Sequence, residues 1–135
     1  MKNKKVLVDS SVLISSLFSN KGASYYIISF AQNKGYKLII SEFILKELID
    51  VIEKKFPFLL SRLFEIITLG QILIVKNPTK RQLKSVEKLL PKNDAPILAC
   101  ALKEKVSYLI TLDNDFLKKE VIDFAFKHKI LILKP

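Results

Sequence analysis

Short apolar runs alternate along the chain with amphipathic segments. KVLV (5–8), KLII (37–40), QILIV (71–75), YLITL (108–112) and ILIL (130–133) are each four or five residues long. They are too continuously apolar to be strands with one wet face. Runs of this kind, separated by helical patterns, predict a parallel sheet covered on both sides. Between them, Ser10 or Ser11 is placed to cap a first helical stretch, and Asn20-Lys21-Gly22 breaks it before a helix at about 23–33. Gly35 fits a helix C-terminal cap, and Ser41 an N-cap for about 42–55. Pro57 interrupts that helix; the pattern resumes over 58–69 and stops at Gly70. A basic helix is expected from Pro78 onward, about 79–90, closed by Pro91; Asn93 would cap another at 95–105, and 120–128 completes the set.

No repeat, low-complexity tract or linker interrupts this series, so residues 1–135 read as one α/β domain, doubly wound. The basic start MKNKK is followed by only three apolar residues before Asp9, too few for a signal-peptide core. No run reaches the ~18 residues of a membrane span. The expected location is the cytoplasm, with no membrane partner. A lone Cys100 and a lone His128 exclude an internal disulfide, a thiolate cage and a histidine-rich zinc site. Three scattered glycines cannot build a phosphate-cradling loop.

Acidic residues then stand out at the ends of the apolar runs. Asp9 follows the first strand and Asp113 the fourth. In an open parallel sheet, ligands bind beyond the carboxyl ends of the strands, and neighbouring strand ends lie only ~5 Å apart. Asp9 can equally cap a helix, and Asp113 can equally close a turn. Glu47 sits between Phe43 and Val51 on the wheel of 42–54, at the edge of the apolar arc, where a carboxylate needs a partner or a path to water. Asp94 opens APILACAL (95–102), a helix apolar on nearly every side and therefore packed deep; capping by Asn93 or Asp94 is the plainer role. Asp9, Glu47, Asp94 and Asp113, with Asp115 as a fifth, form an all-oxygen set suited to magnesium or manganese. With the histidine out of reach, RNA cleavage by histidine acid–base chemistry is disfavoured.

The formal charge of +10 suits a polyanionic partner, nucleic acid first and an acidic protein second, although a lysine-rich, glycine-poor composition produces the same balance. KNPTKRQLKSVEKLLPK (76–92) holds six basic residues against one acid. If it is helical, Lys80, Lys84 and Lys88 share one face beside Arg81, a candidate track for RNA phosphates or a plain solvated face. Residues 42–69 carry Phe56, Phe58, Leu59, Leu63, Phe64 and Ile67, readable as core or as contact surface.

VLVDSSVLIS, SEFILKELIDV, NDAPILACAL and YLITLDNDF, in this order, resemble the PIN-domain family of metal-dependent ribonucleases, especially the toxins of VapC-like toxin–antitoxin pairs. The resemblance implies a three-layer α/β/α sandwich with a parallel sheet in order 3-2-1-4-5. It implies Asp9, Glu47, Asp94 and Asp113 as the catalytic acids, with Asp9, Asp94, Asp113 and Asp115 around Mg²⁺ or Mn²⁺. Ser10 and Ser11 take the place of the family's polar pair, commonly Thr-Asn, beside the first aspartate. Hydrolysis of RNA to a 5′-phosphate and 3′-hydroxyl, a homodimer and a cognate antitoxin are implied with it. The competing readings are a non-catalytic PIN-like RNA- or protein-binding module and a housekeeping RNA-processing nuclease. A phosphoaspartyl phosphatase would want an acid two residues after Asp9, where Ser11 stands.

Overall fold

The computed structural model describes residues 4–19 and 21–135; Asn20, expected in a helix break, and the first three residues lie outside that range. β1 (Lys5–Val8) is followed by α1 (Ser10–Phe18), α2 (Ala23–Asn33), β2 (Lys37–Ser41), α3 (Glu42–Lys55), α4 (Leu60–Leu69) and β3 (Leu73–Val75). The second half runs α5 (Lys80–Lys84), α6 (Ala95–Glu104), β4 (Tyr108–Ile110), α7 (Lys119–Lys127) and β5 (Leu131–Leu133). All strand pairs are parallel, in the order β3-β2-β1-β4-β5. This is the α/β/α sandwich with the 3-2-1-4-5 order that the family resemblance implies. Right-handed crossovers put α1 to α4 on one face of the sheet and α5 to α7 on the other.

Burial follows the strand order. Val6, Leu7 and Val8 of the central strand are enclosed, as are Leu38, Ile39 and Ile40 in β2 and Leu109 and Ile110 in β4. The edge strands are wetter, with Leu73, Ile74, Leu131 and Leu133 exposed. On α3, Ile44, Leu48 and Ile52 recur every fourth residue and are sealed against the sheet, the stripe a 3.6-residue period produces. The Ser41 hydroxyl accepts from Ile44 N at 3.1 Å and caps that helix. α6 buries Ala95 and the whole run from Ile97 to Ala101. After α2, Gly35 takes φ +80°, a backbone shape that disfavours a side chain. No helix among the described residues is long and apolar enough to cross a membrane.

Several boundaries depart from the sequence pattern for identifiable reasons. The helix expected over 79–90 is only Lys80–Lys84. A capping box between Thr79 and Gln82 starts it; the Ser85 hydroxyl then bonds back to Gln82 O, and three-residue turns carry Val86 and Leu90 into the core. β3 starts at Leu73, not Gln71, because Gln71 adopts a left-handed φ of 52° and Ile72 N bonds back to Ile67 O to finish α4. β4 ends at Ile110: Thr111 N still donates to Leu133 O at 3.0 Å, and the chain then turns, with Asp113 N bonding back to the Thr111 hydroxyl. Neither Ser10 nor Ser11 caps α1; the Asp9 carboxylate does, accepting from Ser10 N at 2.7 Å. Asn93 caps nothing: Asp94 is the N-cap residue of α6, and its side chain makes no capping bond.

Candidate metal centre

The sheet delivers Asp9 and the segment after β4 to one place. β1 and β4 are neighbours, with Val8 beside Ile110, and Asp9 N donates to Ile110 O at 3.0 Å. Asp9 is buried, and its carboxylate is held on both oxygens. Oδ1 accepts from Ser10 N; Oδ2 accepts from the Thr111 hydroxyl at 2.7 Å and the Ser11 hydroxyl at 3.2 Å. Burial raises this carboxyl above its ordinary value of 3.8, and the hydroxyl and amide donations partly offset that rise.

The Ser10 hydroxyl lies 2.7 Å from Glu47 Oε1 and 3.4 Å from Asp9 Oδ1. Its one proton therefore goes to Glu47. This bond ties α3 to α1 and keeps the half-buried Glu47 on the Asp9 side of the helix. Ser11 works in both directions, donating to Asp9 and accepting from Leu112 N at 3.2 Å.

Asp94, Asp113 and Asp115 each offer a carboxylate oxygen, and the three oxygens lie within 4.8 Å of one another. Asp9 and Glu47 stand outside that triplet. Asp113 also closes the turn after β4, as the Asx alternative has it: its Oδ1 accepts from Asp115 N at 2.9 Å, starting a 3₁₀ turn over Asn114–Leu117. Asp115 lies inside that turn and does not cap it. Phe116, next along, is fully enclosed in the core and anchors the loop. An exposed lysine, Lys118, comes within 3.5 Å of Asp115 Oδ1.

Burial pushes the Asp94 carboxyl from 3.8 up to about 7, with Asp113 the next contributor and Asp9 and Asp115 adding their fields. A helix-capping bond would have lowered that value, and α6 does not supply one. Clustered carboxylates, one of them forced toward its neutral form, are oxygen donors short of positive charge. That chemistry fits a hard divalent ion.

Thr111 is the residue that the sequence pattern passes over. Fully buried, it donates to Asp9 Oδ2 and accepts from Asp113 N at 3.0 Å, so one hydroxyl fixes both strand-end aspartates. The available signal was its polarity inside the otherwise apolar YLITL. The basic stripe does not form as expected. Lys80, Arg81 and Lys84 are exposed on α5, but Lys88 lies beyond the end of that helix and shares no helical face with them. In the 42–69 region, Leu63 is core, Phe56, Leu59 and Ile67 are half-buried, and Phe58 and Phe64 are exposed.

A family model described as the PIN domain matches residues 5–115, well over half of the chain. No curated protein matches the sequence. Among solved structures, a chain of VapBC2 from Rickettsia felis, in a complex bound to a DNA fragment from their promoter, superposes with a TM-score of 0.69 at 16% identity. The match covers 97% of this chain and 98% of that one. At that identity the likeness speaks for the fold.

Proposed function

The chain belongs to the PIN-domain family, and from that premise we propose that it is a divalent-metal-dependent endoribonuclease, the toxin of a toxin–antitoxin pair. The observation that carries this reading is the Asp94–Asp113–Asp115 triplet, three carboxylate oxygens within 4.8 Å of one another, with burial and the acidic neighbours driving Asp94 toward its neutral form. Asp94, Asp113 and Asp115 would hold Mg²⁺ or Mn²⁺, joined by Asp9 through lone pairs its donors leave open. When bound, such an ion lowers the pKa of a water and neutralises charge developing on a phosphodiester.

The chain's own residues do the rest. Thr111 and Ser11 lock the Asp9 carboxylate, so it needs little reorganisation during the reaction. Glu47, oriented by Ser10, would accept a proton from the attacking water. Lys80, Arg81 and Lys84 offer charge for RNA phosphates on α5, which packs beside the Asp94 helix. The 5′-phosphate and 3′-hydroxyl products follow from water attacking phosphorus with the 3′ oxygen leaving. Exposed Phe58 and Phe64 give a face for a second copy of the chain, expected as a homodimer by light scattering. A cytoplasmic site of action goes with this reading.

RNA cleavage tests it: activity with Mn²⁺ or Mg²⁺, lost in EDTA and in Asp9→Asn/Asp94→Asn. Growth arrest on expression, relieved by Asp94→Asn, distinguishes a toxin from a housekeeping nuclease. Undiminished cleavage in EDTA refutes the metal dependence, and no cleavage under any condition leaves a binding module.

A further inference from the structure

Face one of the sheet is incompletely covered. On the face that carries α1 to α4, the residues beside Tyr108, Ile110 and Leu133 come from α2 (Ile27, Phe30 and Ala31), and Leu131 and Leu133 stay exposed. The registers put Val6, Tyr108 and Leu131 in one row and Ile110 with Leu133 in the next, all on that side. The result is a groove of about 210 Å³ walled by Phe30, Tyr36, Tyr108, Ile110 and Leu133. Its upper row includes Ile110, whose carbonyl accepts from Asp9 N, and the groove runs from there toward the start of the strands at Val6 and Tyr108.

The walls are aromatic and the rim is cationic. Tyr36 and Tyr108 lie 6.0 Å apart, and Tyr26, two-thirds exposed, stacks on Phe30 at 6.1 Å and carries the aromatic surface outward along α2. Lys4 Nζ lies over the Tyr108 ring, 5.8 Å from its centroid, and Lys34 Nζ over the Phe30 ring at 5.7 Å, two flexible side chains that an incoming base can move aside. Neither lysine forms an ion pair among the described residues. α2 contains no acid, and no charged residue lines the groove.

We propose that this groove seats unstacked bases of single-stranded RNA, with Lys4 and Lys34 on the flanking phosphates. The inference rests on RNA being the partner in the proposed function, not on cleavage. Aromatic faces accept any base, and lysines beside them take the backbone, the pairing used by sequence-tolerant single-strand binders. A second copy of the chain is a poorer occupant. A two-fold contact through this groove would bring Lys4 and Lys34 toward their own counterparts, on a protein of net charge +10.

The test is fluorescence anisotropy with a short fluorescein-labelled oligouridylate, in EDTA so that strand length is preserved. Phe30→Ala combined with Tyr36→Leu should weaken binding at least about tenfold, the loss expected for one stacked base. Lys4→Gln with Lys34→Gln should flatten the salt dependence by about 1.4 in log–log slope. Lys54→Gln, on the outer side of α3, should change neither by more than a single phosphate contact. Unchanged affinity in Phe30→Ala/Tyr36→Leu overturns the proposal, thermal unfolding confirming that the variant is folded. So does a wild-type dimer that Leu133→Glu separates without weakening RNA binding, which would assign the groove to a second copy. Equal competition by polyglutamate of matched charge also overturns it, in favour of an acidic protein. If groove variants lose binding while the wild type cleaves nothing with Mn²⁺, the groove stands and the nuclease reading fails. If the wild type cleaves and the variants bind normally, the reverse holds.

Discussion

Replacing Asp94 with asparagine should stabilise the metal-free protein and abolish its response to metal. Three carboxylate oxygens within 4.8 Å repel one another. At that separation one pair of charges costs about 3.5 kcal/mol at an effective dielectric of 20 and about 0.9 kcal/mol in bulk water. Asp94 is half-buried, so solvent screening places the relief at about 1–2 kcal/mol, worth roughly 3–8 °C in Tm for a chain of this size. The pH dependence has a definite sign. The folded state holds the Asp94 proton up to about 7, above its ordinary 3.8, so the folded protein binds more protons than the unfolded chain between those values. Stability is therefore lost as pH rises from about 4 to about 7 and stays low above it. The neutral amide of Asp94→Asn carries no such penalty, so the gap is largest at pH 8 and narrows as pH falls toward 4. Calorimetry at pH 8 in EDTA and in Mn²⁺ reads both effects: the variant melts higher without metal, and only the wild type gains from Mn²⁺. A variant that melts lower in EDTA would mean that Asp94 is not repelled by its neighbours, and one that gains equally from Mn²⁺ would mean that Asp94 does not hold the ion.

Thr111→Val keeps the shape but removes the Asp9 donor and the Asp113 N acceptor; urea titration should show a loss of about 1–3 kcal/mol with an unchanged m-value, and cleavage should fall with it. Ser10→Ala unties Glu47 at a part-buried site, so the same titration should move by less than about 1.5 kcal/mol while kcat falls by a larger factor than KM changes. Leu48→Ala opens a cavity beneath α3 and should cost about 2–5 kcal/mol, leaving metal affinity per folded molecule intact by isothermal titration. Mn²⁺ affinity itself should drop as pH falls below about 7, since Asp94 must give up its proton to bind; a flat profile from pH 8 to 6 would separate Asp94 from the ion.

Most of the fold was legible because the chain states it twice, in period and in punctuation. Ser41 before an amphipathic α3, Gly35 after α2 and the unbroken apolar run of α6 each carry a local signal that agrees with the global packing. Strand order is different: no local pattern encodes it, and it followed from family resemblance. The failures share a cause. In 79–90 the periodicity is helical, yet Val86 and Leu90 reach the core through turns, a tertiary demand that propensity does not register. Ser10 and Ser11 looked like caps because hydroxyls usually cap; here their hydrogen bonds go to Glu47 and Asp9, and the acid caps instead. Thr111 was passed over for a related reason. A threonine is ordinary in a strand, and only the fold puts its hydroxyl between two aspartates that are 104 residues apart in sequence, Asp9 and Asp113.

Cleavage of a labelled single-stranded RNA by purified protein, in Mn²⁺ and in EDTA, decides whether the acidic site is a metal-dependent nuclease. The expected result is cleavage to 5′-phosphate ends in Mn²⁺, none in EDTA, and none from Asp9→Asn/Asp94→Asn in either. Equal cleavage by wild type and double variant, or cleavage that survives EDTA, would contradict it.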